Sequence, residues 1–202
     1  MKRWESASSK RSVDENNSNF NNCPMYIGVI FFSLAWFFLY RLNGWLFSQE
    51  ITSHFASWIF LPQIVRLIAV LLCGWRGAIG LFVGALLTGD YSSDSAILHS
   101  IVLAFLSSIG AYIAVYFFLW WARLPDTLSG LKGRHLWQLA LLGAIFNSIP
   151  TNTYLFFSGL ITNWWMGVLP MLSGDWFGSA IMLYVMRLTQ KLWSRYSIGN
   201  LN

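Results

Sequence analysis

Six long apolar runs, joined by short polar connections, leave this chain few ways to fold. They cover 24–40 (extendable to 47), 55–74, 77–89, 96–122, 137–160 and 164–188. A helix that crosses a bilayer needs about 20 predominantly apolar residues, and every run but the third comes close. The third would rise only about 20 Å as a helix. A soluble alternative fails on charge: 10% of the 202 residues are charged and 56% are hydrophobic, whereas a soluble domain averages about 25% charged. The expected fold is therefore all-α, a polytopic membrane bundle over residues 24–190. Residues 1–23 form a polar, Asn-rich tail that cannot bury enough apolar surface to order itself, and 191–202 form a second tail.

The few charges are distributed by connection. Lys2, Arg3, Lys10 and Arg11 precede the first run. Arg76 lies between the second and third, and Arg123, Lys132 and Arg134 between the fourth and fifth. Arg187, Lys191 and Arg195 close the chain. The alternate connections hold Glu50, Asp90 and Asp94, with Arg41 as the one exception. Positively charged loops stay in the cytoplasm, so the pattern predicts six spans in a bacterial inner membrane with both termini inside. Trp75, Trp120, Trp121, Trp137 and Trp193 then fall at inner boundaries, and Trp45, Trp164 and Trp165 at outer ones, where indoles are preferred. The net charge of +5 is thus topological, and no nucleic-acid partner is expected; the partner is the lipid bilayer. Cys23 and Cys73 both fall toward the reducing side, which predicts no disulfide. The first run starts too late and runs too long for a cleavable signal peptide.

Polar groups at membrane depth are costly and usually face a bundle interior. Arg66, Asn147 and Asp175 each lie about 15–18 Å along a helix from the inner boundary, near the middle of a core about 30 Å thick. Three runs therefore place a cation, an amide and an anion at one level. Asn147, Thr151, Tyr154 and Ser158 follow the spacing of one helical face, and Pro150 frees a carbonyl one turn back. Pro170 interrupts the last run just before Asp175. The expectation is a mid-membrane ligand site made of Arg66, Asn147, Thr151, Tyr154 and Asp175, for an unidentified small molecule. The plainer alternatives are a structural ion pair that fixes helix register, or an Arg66 that snorkels to an interface. Gly80 and Gly84 form a GxxxG, and Ser100, Ala104, Ser108 and Ala111 line one side of the fourth run; both predict close packing within the chain. There is no HExxH, GxSxG, P-loop or paired-Cys motif. His54, His99, His135 and Glu50 stand apart, and Ser158-Gly159 has no partnered His, so no catalytic residue, metal or cofactor is expected.

Leu61-Pro62, Gly74-Trp75-Arg76-Gly77, Gly80 with Gly84, Trp164-Trp165 and Gly174-Asp175-Trp176-Phe177-Gly178 follow one another in the order of a known domain. Over residues 55–190 the chain resembles the membrane-associated sensor domains of the MASE type. Leu124-Pro125-Asp126 resembles the family's inner loop, and 144–153 its next helix. The resemblance implies a sensory role in the inner membrane. Such domains usually precede a diguanylate cyclase, histidine kinase or related output module, so a chain without one is expected to signal through a separate partner. Two other readings fit six spans in about 200 residues. One is the substrate-binding membrane component of a vitamin importer, which works with an ATPase partner. The other is a membrane scaffold with no ligand.

Overall fold

The computed structural model describes residues 25–47, 51–53, 56–57, 59–123 and 133–199. The tail 1–23 and the inner loop 124–126 lie outside them. The helices are α1 (Met25–Leu46), α2 (Gln63–Leu87), α3 (Asp94–Ala122), α4 (Gly133–Phe157) and α5 (Trp164–Gly199), with a small antiparallel hairpin of β1 (Ile51–Ser53) and β2 (Ala56–Ser57) between α1 and α2 in sequence. Residues 191–199, expected in a tail, continue α5.

Four stretches are long and apolar enough to cross a bilayer: Tyr26–Leu46, Gln63–Leu87, Asp94–Ala122 and Trp164–Val185. Helix α4 is also 25 residues long, but Asn147, Ser148, Thr151 and Asn152 make it less apolar, and all four are buried. The polarity of the chain is turned inside out. Ile27, Phe31, Phe38, Leu98, Phe105, Phe157 and Tyr184 are exposed, while Gln63, Arg66, Asn147, Asp175 and Ser179 are buried. Water would reject such a surface, and lipid accepts it, so the fold fits a membrane-embedded protein.

Helix α2 is two arms rather than one rod. Gly74 takes φ 55° and ψ −131°, a conformation open to glycine and strained for other residues. The chain doubles back there: a Cβ on Gly77 would lie 2.0 Å from the Ala69 carbonyl oxygen, although eight residues of straight helix rise about 12 Å. The arms, 63–73 and 75–87, rise only about 16 and 20 Å. The second apolar run was expected to be helical from residue 55, and this is corrected: β2 and a non-helical segment at 59–61, ending in a turn at Leu61-Pro62, occupy its first part. Pro62 explains the boundary. It disfavours helical geometry at the residue before it and is tolerated in a first turn.

The non-helical segment 59–61 is held from two sides. Phe60 N donates to the Gly174 carbonyl at 2.9 Å, and Leu61 N donates to Asn43 Oδ1 at 2.8 Å. The approach to α5 requires a missing side chain, because a Cβ on Gly178 would lie 2.1 Å from the Phe60 carbonyl oxygen. Gly80 and Gly84 pack against Val29, Ser33 and Trp36 of α1, so the GxxxG works within the chain. Ser33 Oγ donates to the Gly80 carbonyl at 2.8 Å. Helices α3 and α4 run antiparallel, with Gly110 against the Phe146 carbonyl that Pro150 leaves free.

These directions gather the Gly74 turn, the end of α3 and the start of α4 at one end of the bundle. Trp75, Trp120, Trp121 and Trp137 are exposed there. Toward this end Leu67, Val70, Val115, Phe118 and Leu139 form a dry apolar core. The other end carries the last turns of α1 and α2, the start of α3 capped by Ser93 Oγ, and the end of α4. There Gly159, at φ 71°, lets Leu160 N reach the Leu155 carbonyl at 3.0 Å, closing the helix with a Schellman-type cap. Cys73, beside the Gly74 turn, is disulfide-bonded, contrary to the expectation of free thiols. That expectation rested on compartment and could not see proximity. The other cysteine, Cys23, lies outside the described residues.

Candidate functional site

The middle of the bundle brings three of the expected residues into contact. Asn147, ten residues from the end of α4, donates through Nδ2 to Asp175 Oδ2 at 2.6 Å. Arg66, on the first arm of α2, places a guanidinium nitrogen 3.7 Å from the same oxygen. Counting helical rise from the inner boundary puts these groups at one level, and in the structure they meet. The pair is desolvated: the side chains of Arg66 and Asp175 are 6% and 1% exposed.

Arg66 is positioned by more than its anion. The same nitrogen donates to Gln63 Oε1 at 2.7 Å, one turn earlier on the arm. Its guanidinium lies 4.6 Å from the Trp36 ring centre and 5.3 Å from that of Phe60. Aromatic rings stabilise a cation there by quadrupole attraction, and the two rings stand side by side, their centres 5.9 Å apart. Arg66 is therefore directed inward and does not snorkel. The sequence carried faint signals for these neighbours. Gln63 precedes Arg66 by the spacing of one helical face, and Trp36 sits mid-run, away from the boundaries that other tryptophans mark.

A cavity of about 590 Å³ opens above this floor. Arg66, Asn147, Thr151 and Asp175 form its depth, with Trp36, Tyr40 and Phe60 along one wall and Leu155 and Met171 along another. Small residues of α3 (Ser100, Ala104, Ser107) leave the space, and Thr88, Gly89 and the exposed Asp90 stand at its outer part. Of the expected stripe on α4, Asn147 and Thr151 line the cavity and Leu155 continues it. Tyr154 faces elsewhere; its hydroxyl is 2.6 Å from His99 Nδ1 on α3, which closes α4 onto α3 outside the cavity. A strict i, i+4, i+8 line selects Leu155, whereas the polar pattern had selected Tyr154.

Several buried polar atoms at the floor have no protein partner: Arg66 Nε, Asn147 Oδ1 and Thr151 Oγ1. Native interiors pair nearly all such atoms, with protein or with ordered water, and an unpaired one carries a penalty of about 1–3 kcal/mol. These three are on residues that line the cavity, where a polar guest could satisfy them, whereas others, such as Gln63 Nε2, Ser148 Oγ and Ser179 Oγ, are on residues that do not line it. Comparison with protein-family models, with curated proteins and with solved structures gave no match to this chain.

Proposed function

We propose that this chain is an inner-membrane module that binds a small molecule above the Arg66–Asn147–Asp175 floor and reports its presence to a separate partner protein. The observation that carries the reading is the set of unpartnered buried atoms around the cavity. A pair serving only to fix helix register would be enclosed and satisfied. This site instead adjoins about 590 Å³ of space, within the usual range of roughly 300–1,000 Å³ for small-molecule pockets.

The reporting part rests on α5. Asp175 lies on a helix that runs from Trp164 to Gly199, 36 residues or about 54 Å, well beyond a core of about 30 Å. A shift at the floor therefore acts on an element that leaves the bundle. The resemblance to MASE-type sensor domains points the same way. In the topology that fits best, both termini are cytoplasmic and there are six crossings, the second made jointly by the segment 59–61 and the first arm of α2.

Transport is the second reading, favoured by one observation. Arms of half length meeting a non-helical segment near a buried charge are typical of transporter sites. In that case the chain would capture substrate for an ATPase partner. A thermal-shift screen of the purified protein against a metabolite library, with Asp175→Asn in parallel, tests the common core of both readings. A compound that raises the wild-type melting temperature and leaves the variant unchanged is expected. If every stabilising compound acts equally on Asp175→Asn, the floor is not the binding site. Uptake of the compound by cells that contain the partner ATPase, lost in Asp175→Asn, would favour transport over sensing.

A further inference from the structure

The chemistry of the floor narrows the ligand further, on the premise that the cavity binds one. The two sides of the floor are unlike. On the α2 side stands Arg66, a donor with a fixed fork of N–H groups and no acceptor. One of its nitrogens is engaged by Gln63 Oε1 and faces Asp175. Trp36 and Phe60 stand beside its guanidinium, and the edge that carries Nε is left without a partner. Planar, edge-on approach is the geometry by which guanidinium groups bind carboxylates.

On the α4 and α5 side the free capacity is for donors. Asn147 spends its amide nitrogen on Asp175 and leaves Oδ1 unpartnered. Thr151 Oγ1 is unpartnered one turn along. Asp175 accepts its hydrogen bond at Oδ2, the oxygen that also faces Arg66. Two unpartnered oxygens beside a carboxylate thus await N–H groups, opposite a cation with a free edge.

Net charge decides between ligand classes. The floor holds one cation and one anion, and is neutral as it stands. A singly charged guest would leave an uncompensated charge in a desolvated site, which is strongly unfavourable. A guest carrying both signs adds two ion contacts and keeps neutrality. The rest of the wall, Trp36, Tyr40, Phe60, Leu155 and Met171, calls for an apolar or aromatic body.

We infer that the ligand is a small zwitterion of the α-amino-acid type with an apolar side chain, its carboxylate on Arg66 and its ammonium toward Asp175, Asn147 Oδ1 and Thr151 Oγ1. The test compares matched probes on the full-length wild-type protein in detergent. L-tryptophan, tryptamine, indole-3-propionate and indole-3-propionamide share one ring and differ in charge. L-leucine, isopentylamine and 4-methylpentanoate repeat the comparison on a smaller body. At least one zwitterion is expected to bind, with every partner probe lacking one or both charges at least tenfold weaker. An amine, acid or amide that binds as tightly as its zwitterion overturns the inference. A parallel measurement separates this from the premise: Thr151→Cys, in a Cys23→Ala/Cys73→Ala background, is labelled with a small methanethiosulfonate. Labelling that no probe blocks, with no probe binding, leaves an open cavity and refutes the zwitterion. A Thr151→Cys that resists labelling until the protein is unfolded refutes the cavity itself.

Discussion

At the level of single residues, a buried ion pair is useful evidence only when its partners are counted. Removing one member of such a pair leaves a bare charge, at a cost of about 3–5 kcal/mol. Arg66→Gln and Asp175→Asn are each expected to destabilise strongly, and the double variant by clearly less than their sum, because contacting groups couple. Thermal unfolding of the four proteins in detergent measures this, and additive effects would mean that the 3.7 Å contact is not formed. Thr151→Val should behave in the opposite way. Its hydroxyl has no partner, so its loss relieves a penalty of about 1–3 kcal/mol; the melting temperature is expected to hold or rise while ligand stabilisation shrinks. A fall in melting temperature would show that the hydroxyl is bonded in the folded protein. Arg66, Asn147 and Asp175 were legible in the sequence because membrane depth follows from residue count along a helix. Tyr154 was misplaced because a polar stripe two residues wide offers two continuations, and only packing against α3 decides between them.

Elements show where residue counting stops working. A run of apolar residues from 55 to 74 has the length and hydropathy of a span, yet the helix begins only at Gln63. Nothing in hydropathy distinguishes a helix from a non-helical segment pinned by outside partners; the visible signal was Pro62, which makes Leu61 a poor helical residue. The Gly74 turn was legible as a boundary, since Trp75 and Arg76 mark an interface, but its tightness was not. The seat for segment 59–61 depends on α5, so a distant glycine should control it. Gly178→Val is expected to displace Phe60, whose carbonyl would lie 2.1 Å from the new Cβ, and with it one of the two rings beside Arg66. Loss of both stability and probe binding is the expected result. A variant that melts like wild type and binds normally would show that the segment 59–61 is not held against α5.

For the whole molecule, two observations bear on which way the bundle faces, and they disagree. The end that carries the Gly74 turn also carries Arg76, Arg123 and Arg134, while Asp90 and Asp94 lie at the other end. The positive-inside rule predicts a cytoplasmic Gly74 end, in line with the proposed topology. Cys73 sits at that same end and is disulfide-bonded, a state the cytoplasm rarely sustains. The charge argument is the stronger, because it sums independent connections, whereas the state of one cysteine follows its redox surroundings. Cys73 is therefore expected to be reduced in growing cells. Trapping with a polyethylene-glycol maleimide after denaturation, with and without prior reductant, should give the same gel shift. On intact cells, with both native cysteines replaced by alanine, an impermeant maleimide should label Ser92→Cys at the start of α3. It should reach Arg123→Cys at the other end only after permeabilisation. Labelling of Arg123→Cys from outside, together with a reductant-dependent shift at Cys73, would invert the bundle and put the Asp90 end of the cavity in the cytoplasm. Ligand would then enter from within the cell, and reporting through α5 would have to act on the outer side.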